Sequence, residues 1–190
     1  MTMRRYIGID PSTLAGLVEL DQDGNVIQAF ELQAPKVEEV GLPAELERIN
    51  WIVEKLEESI FGAGNWGDSI NIAIETFAYG AKGKFVAQMY GIGWMLRDAL
   101  PEYIDVTPTE LKKFASGKGT MKKDSLSVEI FKRWGFEHKS DNVRDAYVLA
   151  QIARAMHEPV KLTSFQQEII DALKNPGKPK LRKGKKERVG

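Results

Sequence analysis

Tyr6-Ile7-Gly8-Ile9-Asp10-Pro11-Ser12-Thr13 sets an apolar run directly before an acid and a proline. Such a run, bounded by a turn signal, reads as a strand that proline cannot continue. Arg4 to Ile9 therefore opens a strand, and Asp10 sits at its carboxyl end, where the chain turns. Leu14 to Leu20 is a second β-compatible run, Asp21-Gln22-Asp23-Gly24 is a strong turn, and Val26 to Glu31 resumes the pattern. Because Asp-Gly suits a tight hairpin, the first thirty residues predict three antiparallel strands in a meander.

Beyond Pro43 the period changes. Leu46, Ile49, Ile52, Val53, Leu56 and Ile60 recur at three and four residues, which predicts an amphipathic helix ending near Gly62, followed by a loop to Gly67. Ser69 to Glu75, with Ile70, Ile72 and Ile74 alternating, reads as a strand that ends on an acid. A long helix is expected from about Gly83 to Leu100, with Phe85, Met89, Ile92 and Leu96 on one face. Tyr103 to Val106 is a short strand, and Pro108 opens a helix where proline is tolerated. Helices from Met121 to Trp134 and from Asp141 to Met156 follow, giving an α/β order with a mixed sheet and no internal repeat.

Length and composition narrow the chemistry. At 190 residues, 43% hydrophobic and 28% charged, the chain suits one folded domain and is neither disordered nor fibrous. No second catalytic domain is expected. With no cysteine there is no disulfide, thiolate site or cysteine nucleophile, and only His138 and His157 remain as nitrogen ligands. Any metal must be held mainly by carboxylates. No apolar run approaches the roughly 20 residues of a membrane span, and Met1 to Arg5 is not followed by a signal-type core, so a cytoplasmic protein with no membrane partner is expected. The net charge of zero hides an asymmetry: Lys174 to Gly190 carries eight Lys and Arg against one Glu. This Pro- and Gly-containing tail reads as a flexible arm able to neutralise phosphates, or else as a solubilising tail. The expected division is a folded domain over 1–158, a C-terminal helix over 159–173 and the basic tail over 174–190.

The acids carry the functional reading. If the strands ending at Asp10 and Glu75 pair in parallel, about 4.8 Å apart, both carboxylates emerge at one sheet edge. Asp141 and Asp145 are four apart, about 40° around a helix, and project from one face. Taken singly each acid has an ordinary explanation, as a turn residue, a strand end or a helix cap. Together they make a pocket for hard cations, since clustered carboxylates repel one another unless divalent ions neutralise them. Two such ions would activate a water and stabilise the leaving oxygen of a phosphodiester.

The ordered set resembles a known family. Tyr6 to Thr13 resembles the opening strand of RuvC-type Holliday-junction resolvases, in the RNase H-like superfamily and its bacteriophage-type members. Ile72-Ala73-Ile74-Glu75-Thr76-Phe77 resembles their second acidic motif, and Asp145-Ala146-Tyr147-Val148-Leu149-Ala150 their closing helix. Val106 to Lys112, followed by Gly117-Lys118-Gly119 and Lys122-Lys123, is similar to the stretch in which the family carries two lysines near the scissile phosphate. The resemblance runs from about residue 5 to 155. It implies an RNase H-like fold with a five-stranded mixed sheet, three antiparallel strands then parallel ones, flanked by helices. It also implies a homodimer acting on branched DNA, four-way junctions and flaps among them, with Mg2+ or Mn2+, two ions per site, in a bacterial or phage-infected cell. Asp10, Glu75, Asp141 and Asp145 are the expected metal ligands, with Lys112 and Lys123 completing the catalytic set. The family commonly spaces its last two acids by three residues, and here that position is Asn142. Either the helix turns enough for Asp141 to serve, which is the reading preferred, or Asn142 offers a neutral oxygen.

Further contacts follow from position. Phe77 and Tyr79 flank a loop with Lys82 and Lys84, so the rings are expected against unstacked bases and the lysines, with Lys118 and Lys122, on phosphates. An equally ordinary reading is that one ring caps the core. Gly91 and Gly93 suit close backbone approach, at a dimer contact or within the monomer, and His138 reads as a surface residue. Three rival readings remain. A sugar-kinase or actin-like fold shares the opening loop but needs two such domains, a transposase-like or RNA-processing relative shares the carboxylates, and a silent junction-binding module would lack catalysis.

Overall fold

In the computed structural model, which describes residues 4–36, 41–62, 69–77, 79–80, 82–83 and 85–176, the meander forms as β1 (Arg4–Asp10), β2 (Leu14–Leu20) and β3 (Val26–Gln33). The Asp21 carboxylate accepts from the backbone of Asp23 at 2.9 Å and Asn25 at 2.8 Å, and Gly24 takes a φ of 91° that closes the turn. There follow α1 (Leu42–Phe61), β4 (Ser69–Glu75), α2 (Val86–Ala99), β5 (Ile104–Val106), α3 (Pro108–Ser116), α4 (Lys123–Trp134), α5 (Asp141–His157) and α6 (Ser164–Lys174). The strands form one sheet in the order β3-β2-β1-β4-β5, with β4 parallel to both β1 and β5 and β2 antiparallel to its neighbours. This is the RNase H-like mixed sheet expected from the sequence. No described helix is long and apolar enough to cross a membrane.

Side chains alternate across the sheet, so each strand feeds two cores. Ile7 and Ile9 of β1 join Ile52, Leu56 and Ile60 of α1 and Ile92 and Leu96 of α2 on one side. Tyr6, of the opposite parity, joins α5 together with α3, α4 and α6 on the other. Gly8 and Asp10 share the parity of Tyr6 and therefore face α5. The same alternation puts Arg5 and Glu19 under α1, where each is almost fully buried. Arg5 meets Glu19 with two nitrogens and gives a third N–H to the Ile60 carbonyl at 3.0 Å, one of the acceptors the end of α1 leaves open. A buried ion pair is tolerable only when its remaining hydrogen-bonding groups are met in this way.

The elements differ from the sequence reading mainly at their ends. The long helix begins at Val86, not Gly83, and Phe85 is its N-cap and 52% exposed, so it does not join the buried face. The expected loop after Gly62, Lys84 and the tail beyond residue 176 lie outside the described residues. The C-terminal helix is present as α6, opened by a capping box in which Thr163 and Gln166 exchange hydrogen bonds.

Two strand glycines set the depth at which α5 lies. A Cβ on Gly8 would stand 1.9 Å from the carbonyl oxygen of Ala146, and one on Gly16 would stand 2.2 Å from that of Asn142. Helix backbone therefore rests directly on strand backbone at β1 and β2. Gly91, by contrast, would bring a Cβ no closer than 3.0 Å, to the flexible tip of Ile49. Gly8→Ala is expected to destabilise the fold by roughly 1 to 3 kcal/mol or more, as overpacking against fixed backbone does, and Gly91→Ala to cost much less. Urea unfolding of the two variants checks this, and equal stabilities would show that α5 can move away freely.

Candidate active site

The parallel pairing of β1 with β4 aligns Ile9 with Ile74, so the next residues, Asp10 and Glu75, stand side by side at the strand ends. Both have the parity that faces α5. The contact of Ala146 with Gly8 then brings its neighbour Asp145 over the same edge. Asp10 is buried at 8% exposure, and Glu75 and Asp145 are half-buried. The three acids line one cavity of about 240 Å3 together with Lys112 and Lys123.

Local chemistry fixes the lysines. Thr107 caps α3, accepting from the Glu110 backbone while the Glu110 carboxylate returns to the Thr107 backbone, and Pro108 occupies the first turn. One turn on, Lys112 lines the cavity. Lys123 is the first residue of α4, and its Nζ lies 3.1 Å from Asp141 Oδ2. Burial opposes its charge, but the hydrogen bond and charge of Asp141, with Asp145 and Asp10 beyond, outweigh this and hold its pKa above the ordinary lysine value.

The start of α5 separates the roles of Asp141 and Asn142. Ser140 is the N-cap, accepting from Val143 N and donating to Glu31. Asn142 gives its amide N–H groups to the Leu14 carbonyl at 2.6 Å and to Glu31 at 3.2 Å, which ties the first turn to β2 and β3. That leaves its amide oxygen as the atom it can offer, and Asn142 lines the cavity. Asp141, expected to turn into the cluster, instead pairs with Arg144 and Lys123 and is not among the lining residues. Arg144 is itself held by the His138 carbonyl, so the pairing is braced from behind.

Electrostatically the site is strained toward neutrality. Burial, then the charges of Glu75 and Asp145, push the Asp10 carboxyl well above the usual range. Burial and the charge of Asp145 push Glu75 up to about 7, against the pull of Lys112 and Lys123. Burial raises Asp145 to about 6, partly offset by Lys123. Burial and mutual repulsion thus favour the protonated forms of both Asp10 and Glu75. Clustered hard oxygen donors with unmet negative charge fit Mg2+ or Mn2+. Yet among the described residues no three acids or histidines already stand close enough to hold one ion together. A cation would supply the positive charge the cluster lacks and draw the carboxylates in.

The aromatic residues beside the cavity form a packed patch. Phe77 lies 5.3 Å from Tyr90 and 4.8 Å from Trp94 between ring centroids, with the Arg97 guanidinium 4.7 Å above it. A Cβ on Gly93 would stand 2.4 Å from Phe77, so this glycine makes room within the monomer. Phe77 and Tyr90 both line the cavity, while Tyr79 is 79% exposed and touches Phe77 edge-on. Lys82, Lys118 and Lys122 are exposed and do not line it. Tyr90 was missed as a site residue, and Asn142 was the alternative set second to Asp141. Tyr90 was open to detection as the position one helical turn beyond Val86, and the family's three-residue spacing fell on Asn142, although the acid Asp141 was preferred.

No protein-family model matches the chain, and no curated protein sequence does. Solved structures do. Thermus thermophilus RuvC superposes with a TM-score of 0.56 at 14% identity, covering 77% of this chain and 90% of that one. T. thermophilus RuvC in complex with a Holliday junction substrate gives 0.55 at 12% identity, covering 79% and 90%. The fold is RuvC-like.

A carboxyl whose folded pKa is raised binds its proton more tightly in the folded state. Stability is therefore highest below the unfolded value near 4, falls as pH rises toward the folded values of about 6 to 7, and levels off above them. In EDTA, the wild type should lose stability across this window. Asp10→Asn should be more stable than wild type by about 1 to 2 kcal/mol at pH 7.5 and no more stable near pH 4. Thermal melts at both pH values measure it, and a destabilised Asp10→Asn at pH 7.5 would make Asp10 a structural turn residue.

Proposed function

We propose that the chain is a structure-selective endodeoxyribonuclease that cleaves four-way junctions and other branched DNA by metal-assisted phosphodiester hydrolysis. The observation that carries this reading is the convergence of Asp10, Glu75 and Asp145 with Lys112 and Lys123 on one cavity at the strand ends. The RuvC-like fold supports it, since one of the similar structures is of a protein bound to a Holliday junction.

Asp10, Glu75 and Asp145 would hold Mg2+ or Mn2+, two ions per site, with the Asn142 oxygen as a further donor. When bound, the ions supply an activated water and stabilise developing charge on the phosphate oxygens. Lys112 and Lys123 neutralise the scissile phosphate from the opposite wall. Asp141 acts through Lys123, holding its ammonium at the rim. Phe77 and the exposed Tyr79 present ring surface to bases unstacked at a branch, and Lys82, Lys118 and Lys122 contact flanking phosphates. A homodimer would present two such sites to the two strands of a junction. The basic tail, in this reading, adds affinity without reading shape.

Incubation with a four-way junction, a flap and a linear duplex, with and without Mg2+, tests the proposal by mapping the ends. Cleavage should require the metal and favour the branched substrates. Binding of junctions without any cleavage would make the chain a silent junction-binding module. Asp10→Asn should reduce cleavage by two to three orders of magnitude or more, on the scale of losing one preorganised electrostatic group, and leave junction binding within a few-fold.

The roles at the start of α5 separate by metal dependence. Asp141→Ala should slow cleavage at unchanged Mg2+ requirement, whereas Asn142→Ala should raise the Mg2+ concentration needed for half-maximal rate. The opposite pattern would place Asp141 on the metal.

A further inference from the structure

A second cavity, of about 540 Å3, lies where the carboxyl half of α5 meets the end of α4 and the connection into α6. It shares no lining residue with the acidic cavity. Gln151 and Arg154, which line it, follow Asp145 by six and nine residues, about 9 and 14 Å along the helix axis. Arg133, Arg154 and Lys161 supply its charge, and no Asp or Glu lines it.

Both arginines are held in place by their inner nitrogens. Arg133 Nε donates to the Ala115 carbonyl at 2.9 Å, and its guanidinium lies 5.7 Å from the Trp134 ring centroid and 5.1 Å from that of Phe165. Arg154 Nε donates to the Gln22 carbonyl at 2.9 Å. Neither forms an ion pair among the described residues. A guanidinium fixed through Nε can still present outer N–H groups to two oxygens of a phosphate, although Nη1 of Arg154 also packs beside Gly24. Gln151, only 6% exposed, gives an N–H to the Tyr147 hydroxyl at 2.9 Å. No buried side-chain polar atom among the described residues lacks a partner, so its amide oxygen, which none of them reaches, is open to the cavity. That oxygen accepts from a hydroxyl or amino group. Trp134, Val160 and Leu162 line the remainder and offer apolar surface.

We propose that this cavity binds a nucleotide unit, with its phosphate on Arg133, Arg154 and Lys161 and its body against Trp134 and the Gln151 amide. The volume is in the range of small-ligand sites. A free nucleotide and a DNA strand present the same phosphate chemistry and are separated by the test below, and the proposal stands apart from the nuclease reading.

The test uses the full chain in EDTA, titrated calorimetrically with a nucleoside 5′-monophosphate, inorganic phosphate and a short DNA duplex. Arg133→Gln and Arg154→Gln should each weaken binding of the nucleotide or the duplex by about tenfold, the scale of one charge-assisted contact. Because both arginines also brace neighbouring elements, Lys161→Gln, at an exposed position outside any helix, is the independent probe and should weaken binding by a few-fold at an unchanged melting temperature. Arginine-dependent binding of the mononucleotide identifies a free ligand, and arginine-dependent binding of duplex alone identifies the DNA backbone. Binding insensitive to all three cation variants overturns the proposal, as does a nucleotide or duplex bound no more tightly than inorganic phosphate.

Discussion

The seating of α5 on two bare stretches of strand governs the rest of the molecule. Where Gly8 and Gly16 pass beneath Ala146 and Asn142 there is no side chain between helix and sheet. Ten residues of α5 from Val143 to Ala155 are buried as a result. The depth matters more than the burial. A helix resting on side chains would carry Asp145 farther from the strand ends, and Asp10 and Glu75 would face solvent without a third acid above them.

That depth creates an electrostatic problem which the surroundings answer only in part. The three acids are removed from water and repel one another, and both effects push their carboxyls up. Lys112 and Lys123 offset the repulsion without closing on any single carboxylate. Asp141 restrains Lys123 from the outer side, so the ammonium stays at the rim instead of collapsing onto Asp145. In the proposed function, a site left partly uncompensated would draw cations, and the stability given up would be the counterpart of that affinity.

Much of this was legible in the sequence, for physical reasons that can be named. Apolar runs bounded by turn chemistry located β1 and β2, and period-two alternation located β4, to within a residue or so, and once β1 and β4 pair in parallel the acids that end them share one edge. What tertiary contact decides was not legible. The orientation of the first turn of α5 depends on Asn142 reaching the Leu14 carbonyl, 128 positions away in sequence, and residue spacing carries no trace of that bond. Gly8 and Gly16 were visible as strand-interior glycines, which mark close backbone approach, but the approaching element was not. Arg5 and Glu19 sat inside apolar runs as apparent exceptions, and only the fold joins them beneath α1.

The Gly8 and Gly16 contacts also bear on communication. α5 spans both cavities, with Asp145 toward one end and Arg154 toward the other, and a shared helix is the usual conduit by which one ligand alters the affinity for another. Such coupling needs an element with two alternative positions that the ligands prefer differently. A helix whose backbone lies against strand backbone at two points one turn apart has no slack in which to slide or rotate. A sliding or rotating α5 is therefore not the element through which the two cavities could exchange information.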